Sequence, residues 1–269
     1  MKKRKNNKKD LNKKERTINI TVYLVLRFLV ILCMVEQALK GNWHSVALCF
    51  LTLALFTVPT IVSKNFNVKL PTTLEIIVYL FIFGAEILGE IQNFYGIFKH
   101  WDTILHTLNG FLAAAVGFSL IDILNRTERF HIKMTPIFVA LVAFCFSMTI
   151  GVLWEFGEFA MDQYARLDMQ KDRIVQDISS VKLNKEGKND PVKIKDINKT
   201  EIYSNNNKEI TTIEGGYLDI GIIDTMKDLI VNFIGALVFS VLGFLYIKDR
   251  DEYQFIERFL PVMKKYKEK

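Results

Sequence analysis

The chain has 269 residues, 50 % of them hydrophobic, and a formal net charge of +6. Its apolar residues fall in blocks about as long as a bilayer is thick, without the polar stripe that each helix of a water-soluble core keeps, which excludes a soluble helical domain. The expected class is all-α, a polytopic helical bundle of an integral membrane protein.

The first sixteen residues, MKKRKNNKKDLNKKER, carry nine Lys or Arg against one Asp and one Glu. Residues 1–16 read as a disordered, basic cytoplasmic tail that fixes the first helix as an uncleaved anchor and touches anionic lipid. The apolar run behind them is too long for a signal peptide and shows no convincing cleavage site. No nucleic-acid partner is expected.

Six membrane spans are predicted: Ile18–Leu39, Trp43–Val62, Leu74–Phe94, Thr103–Leu124, Thr135–Met161 and Asp228–Ile247. Each has 20 to 27 residues, enough at about 1.5 Å per residue to cross roughly 30 Å of hydrocarbon. Residues 17–161 then hold the first five helices, and 225–247 the sixth. Lys64, Lys69, Arg126, Arg129 and Lys133 in the inner short loops outweigh Lys40 and Lys99 outside, so both termini are expected in the cytoplasm.

Local signals mark helix starts. Thr72 and Glu75 after Pro71 have capping-box spacing, and Thr135-Pro136 supplies an N-cap followed by proline at the first helical position. Cys33, Cys49 and Cys145 lie within spans and read as small packing residues, with no ligand spacing. Residues 162–224 form a polar extracytoplasmic loop in which the alternating runs PVKIKDI and EITTIEG suggest a small β-hairpin. The cytoplasmic tail, 248–269, mixes charges with Tyr253, Phe255, Ile256, Phe259 and Leu260, the pattern of an interfacial helix.

In this orientation four helices carry acids into the outer leaflet. Glu86 and Glu90 end the third, Asp102 with His106 opens the fourth, Glu155 and Glu158 close the fifth, and Asp224, Asp228 and Asn232 step along one face of the sixth. A charge in lipid costs about 2.5–3.5 kcal/mol on insertion scales, so these groups should face a protein interior or a wet cavity. Seven carboxylates cannot all stay ionised and unpaired there. They must be protonated, paired with Lys227 or a charged His106, or bound to a cation.

The candidate ligands of a divalent cation (Mg, Ca, Mn or Zn) are therefore Glu86, Glu90, Asp102, Glu155, Glu158, Asp224 and Asp228. The candidate catalytic residues are Asp102, His106, Glu155, Asp228 and Asn232, with the acids and His106 as general acid and base. There is no nucleophilic Ser or Cys motif and no glycine-rich phosphate loop.

Small residues at helical spacing, Gly110, Ala113, Ala114 and Gly117 in the fourth helix and Gly235, Ala236, Ser240 and Gly243 in the sixth, predict close packing, with helices three to six as the compact unit. DTILHTLNG and DLIVNFIGA share an Asp, a His or Asn four residues on, and small residues one turn later, a hint of internal duplication. Arg27 and Asp122 are expected to pair in the inner leaflet, and Glu36 to reach the outer cluster.

The order D-x-x-x-H, a late glutamate on the next helix, then D-x-x-x-N-x-x-G resembles the VanZ-like family of bacterial membrane proteins. It is closer to the related YjdF-type inner-membrane family through LGE, WDTILH, WEFGE and DTMKDL, over roughly Leu74 to Ile247 without most of the outer loop. The resemblance maps the pattern onto Asp102, His106, Glu155, Asp228, Asn232 and Gly235. Glu158 and Phe159 stand where the VanZ-like pattern often has a glutamine. It implies a multi-pass protein of the bacterial cell membrane with an envelope role, since VanZ-type proteins are linked to low-level resistance to teicoplanin-like glycopeptides.

The function expected is an outward-facing, cation-dependent site that binds or acts on an envelope lipid or lipid-linked headgroup, with membrane lipids as partners. A proton- or cation-coupled transporter and a non-catalytic membrane scaffold are the alternatives. Whether the protein is an enzyme is left open by the residues.

Overall fold

The computed structural model describes residues 2–65, 67–126 and 134–263. Arg129 and Lys133, counted above for orientation, and the 264–269 end of the tail lie outside them. The chain is mostly helical and divides into two compact units, Met1–Gly151 with Val231–Lys269, and Val152–Ile230.

The first unit opens with α1 (Lys2–Leu39), α2 (Trp43–Leu55), α3 (Val58–Asn65), β1 (Val68–Lys69) and α4 (Thr72–Phe83). A π-helical segment (Gly84–Ile91), the short α5 (Phe94–Ile97) and α6 (Trp101–Arg126) follow. The unit also holds most of α7 (Pro136–Ala165) and of α8 (Ile222–Lys248), then a 3-10 helix (Gln254–Phe259). Five helices among the described residues are long and apolar enough to cross a membrane: Lys13–Leu39, Trp43–Asn65, Trp101–Leu124, Pro136–Ala165 and Ile222–Lys248. The faces they turn outward are apolar. On α1 the stripe Leu24, Phe28, Leu32 and Val35 is 50 to 60 % exposed, which suits lipid and not water.

Several local expectations are corrected. The basic stretch expected to be disordered is the first part of α1, since Lys, Arg and Glu favour helix and extending a helix from a formed span needs no new nucleus. The Leu74–Phe94 run is not one regular α-helix: α4 gives way at Gly84 to the π-helical segment, which ends before Asn93 at φ +57°. At Gly89 a Cβ would press into the Tyr95 ring, a close approach that only glycine allows. Glu75 does not complete a capping box, because its carboxylate instead accepts from Asn19 of α1. Thr135 does cap α7, its Oγ1 accepting from Phe138 N at 3.4 Å.

Two cores fill this unit. Leu26, Val30, Cys33, Cys49, Phe56, Tyr79, Ile82 and Ile87 join α1, α2, α4 and the π-helical segment. Tyr23, Phe56 and Tyr79 meet there with ring centroids 5.2–6.4 Å apart, as attractive aromatic contacts require. A second core of Ala114, Ala115, Phe118, Val139, Ala143, Ala236, Phe239 and Tyr246 joins α6, α7 and α8. The third predicted helix thus packs with the first two, and the expected grouping of helices three to six is not what forms.

The C-terminal tail is folded, not a separate interfacial helix. Ile256 of the 3-10 helix and Leu260 just after it are buried in the second core, and β8 (Val262–Met263) pairs antiparallel with β1, Val68 opposite Met263. Tail and α8 also supply Asp122 with its partner. Arg250 Nη2 lies 2.9 Å from Asp122 Oδ1 and its guanidinium stacks 4.9 Å over the Tyr246 ring, whereas Arg27 turns to Tyr23 Oη at 2.7 Å. The expected Arg27–Asp122 pair is therefore replaced by Arg250–Asp122. Glu36 pairs with Lys40 at the exposed end of α1.

The second unit carries the ends of α7 and α8 and three two-stranded pairs. β2 (Ile174–Val175) pairs with β7 (Tyr217–Leu218), β3 (Ile178–Ser180) with β4 (Val192–Ile194), and β5 (Lys199–Ser204) with β6 (Glu209–Glu214). PVKIKDI and EITTIEG do not pair with each other. Asn205, Asn206 and Asn207, all at positive φ, turn β5 back onto β6, and short polar side chains tolerate that conformation best.

Candidate functional site: a polar junction and an acidic row

The head of α6 is held by Trp101, whose Nε1 donates to the Gly84 carbonyl at 3.2 Å. One residue on, Asp102 Oδ1 lies 3.3 Å from His106 Nε2, a pair one helical turn apart with the imidazole more covered than the carboxylate. Deeper in the first unit, three helices meet at one point. Asn109 Nδ2 donates to Asn232 Oδ1 at 3.2 Å, and Asn232 Nδ2 donates in turn to the Ser147 carbonyl at 3.5 Å. Ser147 Oγ closes the set on the Gly110 carbonyl at 2.7 Å. Asn232 and Ser147 are fully enclosed, where a polar group is tolerated only because it is bonded.

Glycine makes this junction. A Cβ on Gly110 would run into the Asn232 carbonyl, one on Gly235 into the Thr107 carbonyl, and one on Gly151 would sit 2.6 Å from Asn232 Nδ2. The chain has small residues where three backbones converge, the arrangement that lets membrane helices approach closely. Asn232, expected as a catalytic group, has its amide engaged on α6 and α7.

In the second unit the row on α8 is paired. Asp224 accepts from Lys171 N at 3.1 Å and Arg173 Nη2 at 3.3 Å, and Lys227 Nζ stands 4.0 Å from Asp224 and 3.6 Å from Asp228. Asp224, Asp228 and Glu155 are buried. Glu158 turns back on α7 to accept from Trp154 Nε1 at 2.7 Å. Glu86 and Glu90 lie on the π-helical segment, Glu86 partly buried and Glu90 exposed, and neither forms an ion pair with a described cation.

The chain from α1 to the end of α8 matches a family model described as "Predicted membrane protein (DUF2238)", over residues 18–249. The chain belongs to the DUF2238 family. The YjdF-type resemblance fits that membership. A Thermotoga maritima protein titled "Uncharacterized protein" is 28 % identical over 105 residues, 39 % of this chain and 52 % of the relative. The chain thus spans about half the length of the curated relative it matches. No solved structure matches it.

In this DUF2238 protein, sequence reasoning missed Asn109, Ser147, Lys171 and Arg173. Asn109-Gly110 in mid-span was a usable signal, because an amide inside an apolar helix needs a partner. Lys171 and Arg173 sit in an irregular loop with no periodicity to place them. That loop is fixed by carboxylates: Asp162 accepts from Met169 N at 2.6 Å and Gln170 N at 2.9 Å. Asp219 accepts from the amides of Arg173, Gly221 and Ile223 at 2.6, 3.3 and 2.9 Å. Burial works to raise the Asp219 carboxyl, but these amides and its own outweigh it and hold the group below its ordinary 3.8.

Proposed function

We propose that this protein is a six-span bacterial inner-membrane protein, VanZ-like in type, with both termini in the cytoplasm. In this reading an outward-facing site holds a divalent cation and binds or acts on the phosphate of an envelope lipid or lipid-linked headgroup. Asp102 and His106, 3.3 Å apart at the head of α6, are its ligands. A carboxylate and an imidazole suit Mn or Zn better than Mg or Ca, which prefer oxygen alone.

One observation carries the proposal. Asp102 and His106 stand together at the head of α6, and the same helix is fixed lower down by the Asn109 bond to Asn232 of α8. Asn232 and the glycines are positioning residues in this account, and they set the register of α6 against α8. A cation held there would offset the acids and attract phosphate.

A structural scaffold is the second reading, favoured by the enclosed, mutually bonded Asn109, Asn232 and Ser147. Mn titration of the purified full chain, read by electron paramagnetic resonance, separates the two. Binding should weaken about tenfold or more in Asp102→Asn and in His106→Gln with both variants monodisperse. Equal binding by wild type and both variants would leave the scaffold.

A further inference from the structure

A cavity of about 800 Å³ opens in the first unit between the Glu15 and Ile18 turn of α1, the start of α4 and the folded C-terminal tail. It is as large as many small-molecule sites, which run to roughly 1,000 Å³. Its polar wall carries two cations, Lys69 and Arg258, and two carboxylates, Glu15 and Glu257. Among the described residues neither cation forms an ion pair, and Glu257 is anchored by Tyr246 Oη at 3.1 Å on one of its two oxygens.

Two further features narrow the ligand. The cavity includes Thr72 and Thr73, and α4 begins there behind Pro71 with no side-chain cap, leaving first-turn amides available to an anion. Its remaining wall is apolar, through Ile18, Ile76 and Phe255, and Ile18 opens the lipid-exposed run of α1. The polar and apolar walls therefore meet where two helices pass from charged to hydrophobic sequence.

We propose that this cavity binds the headgroup of an aminophospholipid. The phosphate lies against Lys69, Arg258 and the α4 amides, the ammonium against Glu15 and Glu257, and the acyl chains leave along Ile18 and Ile76. A balanced set of two cations and two carboxylates fits a zwitterion. A purely anionic lipid would leave both acids facing a phosphate. The inference stands apart from the cation site on α6 and uses none of its residues.

Native mass spectrometry of the full chain in detergent tests it, with phosphatidylethanolamine and phosphatidylglycerol of identical acyl chains offered at equal concentration. Wild type should retain one phosphatidylethanolamine in preference to phosphatidylglycerol. The Lys69→Gln/Arg258→Gln variant should retain it about tenfold less, the loss expected for partly exposed charge-assisted contacts. Glu15→Gln should narrow the preference between the two lipids, a change that a merely cationic patch would not show. Equal retention of both lipids by wild type, or unchanged retention in the double variant at the same thermal midpoint, would overturn the proposal. So would equal competition by glycerophosphoethanolamine without acyl chains, which would mark a site for a soluble headgroup.

Discussion

Gly110 and Asn232 touch through their main chains: a Cβ on the glycine would run into the asparagine's carbonyl oxygen. Gly235 makes the reciprocal approach to the Thr107 carbonyl, so α6 and α8 are fitted to each other at the level of the backbone. A side chain can rotate away from a clash, but a carbonyl in mid-helix cannot.

Gly110→Ala and Gly235→Ala should each destabilise by about 1–3 kcal/mol, the usual cost of overpacking, seen as a lower thermal midpoint in detergent. Gly157→Ala is the control, since a Cβ there meets nothing within 4 Å and alanine is the better helix former. Equal midpoints for Gly110→Ala and Gly157→Ala would show that α6 and α8 are not so closely fitted.

Arg250 and Asp122 are expected to be coupled. Asp122 is buried and Arg250 partly exposed, so Arg250→Gln, which takes the guanidinium from a buried carboxylate, should cost more than Asp122→Asn. Each loss is expected at about 1–3 kcal/mol. The loss in the double variant should be well below the sum of the two. A strictly additive double-mutant cycle would assign the stability to Tyr246 stacking instead.

The Asp219 turn should loosen in acid. The folded group sits below its ordinary 3.8, so its contribution is complete above that pH and is lost as the pH falls through the folded value. Protection factors for the Arg173, Gly221 and Ile223 amides should therefore drop at low pH in wild type. In Asp219→Asn they should be weaker at neutral pH and flat below it. Wild-type protection that stays constant down to about pH 2 would contradict this.

Orientation has a direct readout. Lys188 is exposed in the loop between β3 and β4, and with Cys33 and Cys49 buried a Lys188→Cys label is read against the Cys145 background. A membrane-impermeant maleimide should modify Lys188→Cys in intact cells. Labelling only after lysis would reverse the proposed topology and put the acids of α6 and α8 on the inner side.

The sequence made the apolar blocks legible because length and composition alone decide whether a helix can cross a bilayer. The π-helical segment was not legible, since Gly84 to Ile91 has ordinary helical composition and Trp101 and Tyr95 reach its glycines from beyond the segment. Asp122 announced that it needed a cation but not which one, because Arg250 lies beyond the last span and pairing across the chain leaves no periodic trace. In the candidate site, Asp102–His106 followed from i, i+4 spacing on one helix. The link from Asn109 to Asn232 needed the packing of two helices more than a hundred residues apart in sequence.

The β1–β8 ribbon has a consequence for biosynthesis. Val68 finds Met263 only after the ribosome has passed α8, whereas α1, α2 and α4 can settle against one another long before. The segment leading into α4 therefore waits, with one strand unmatched, until the tail arrives, and a chain that stops short of Val262 is left with an open edge at that spot.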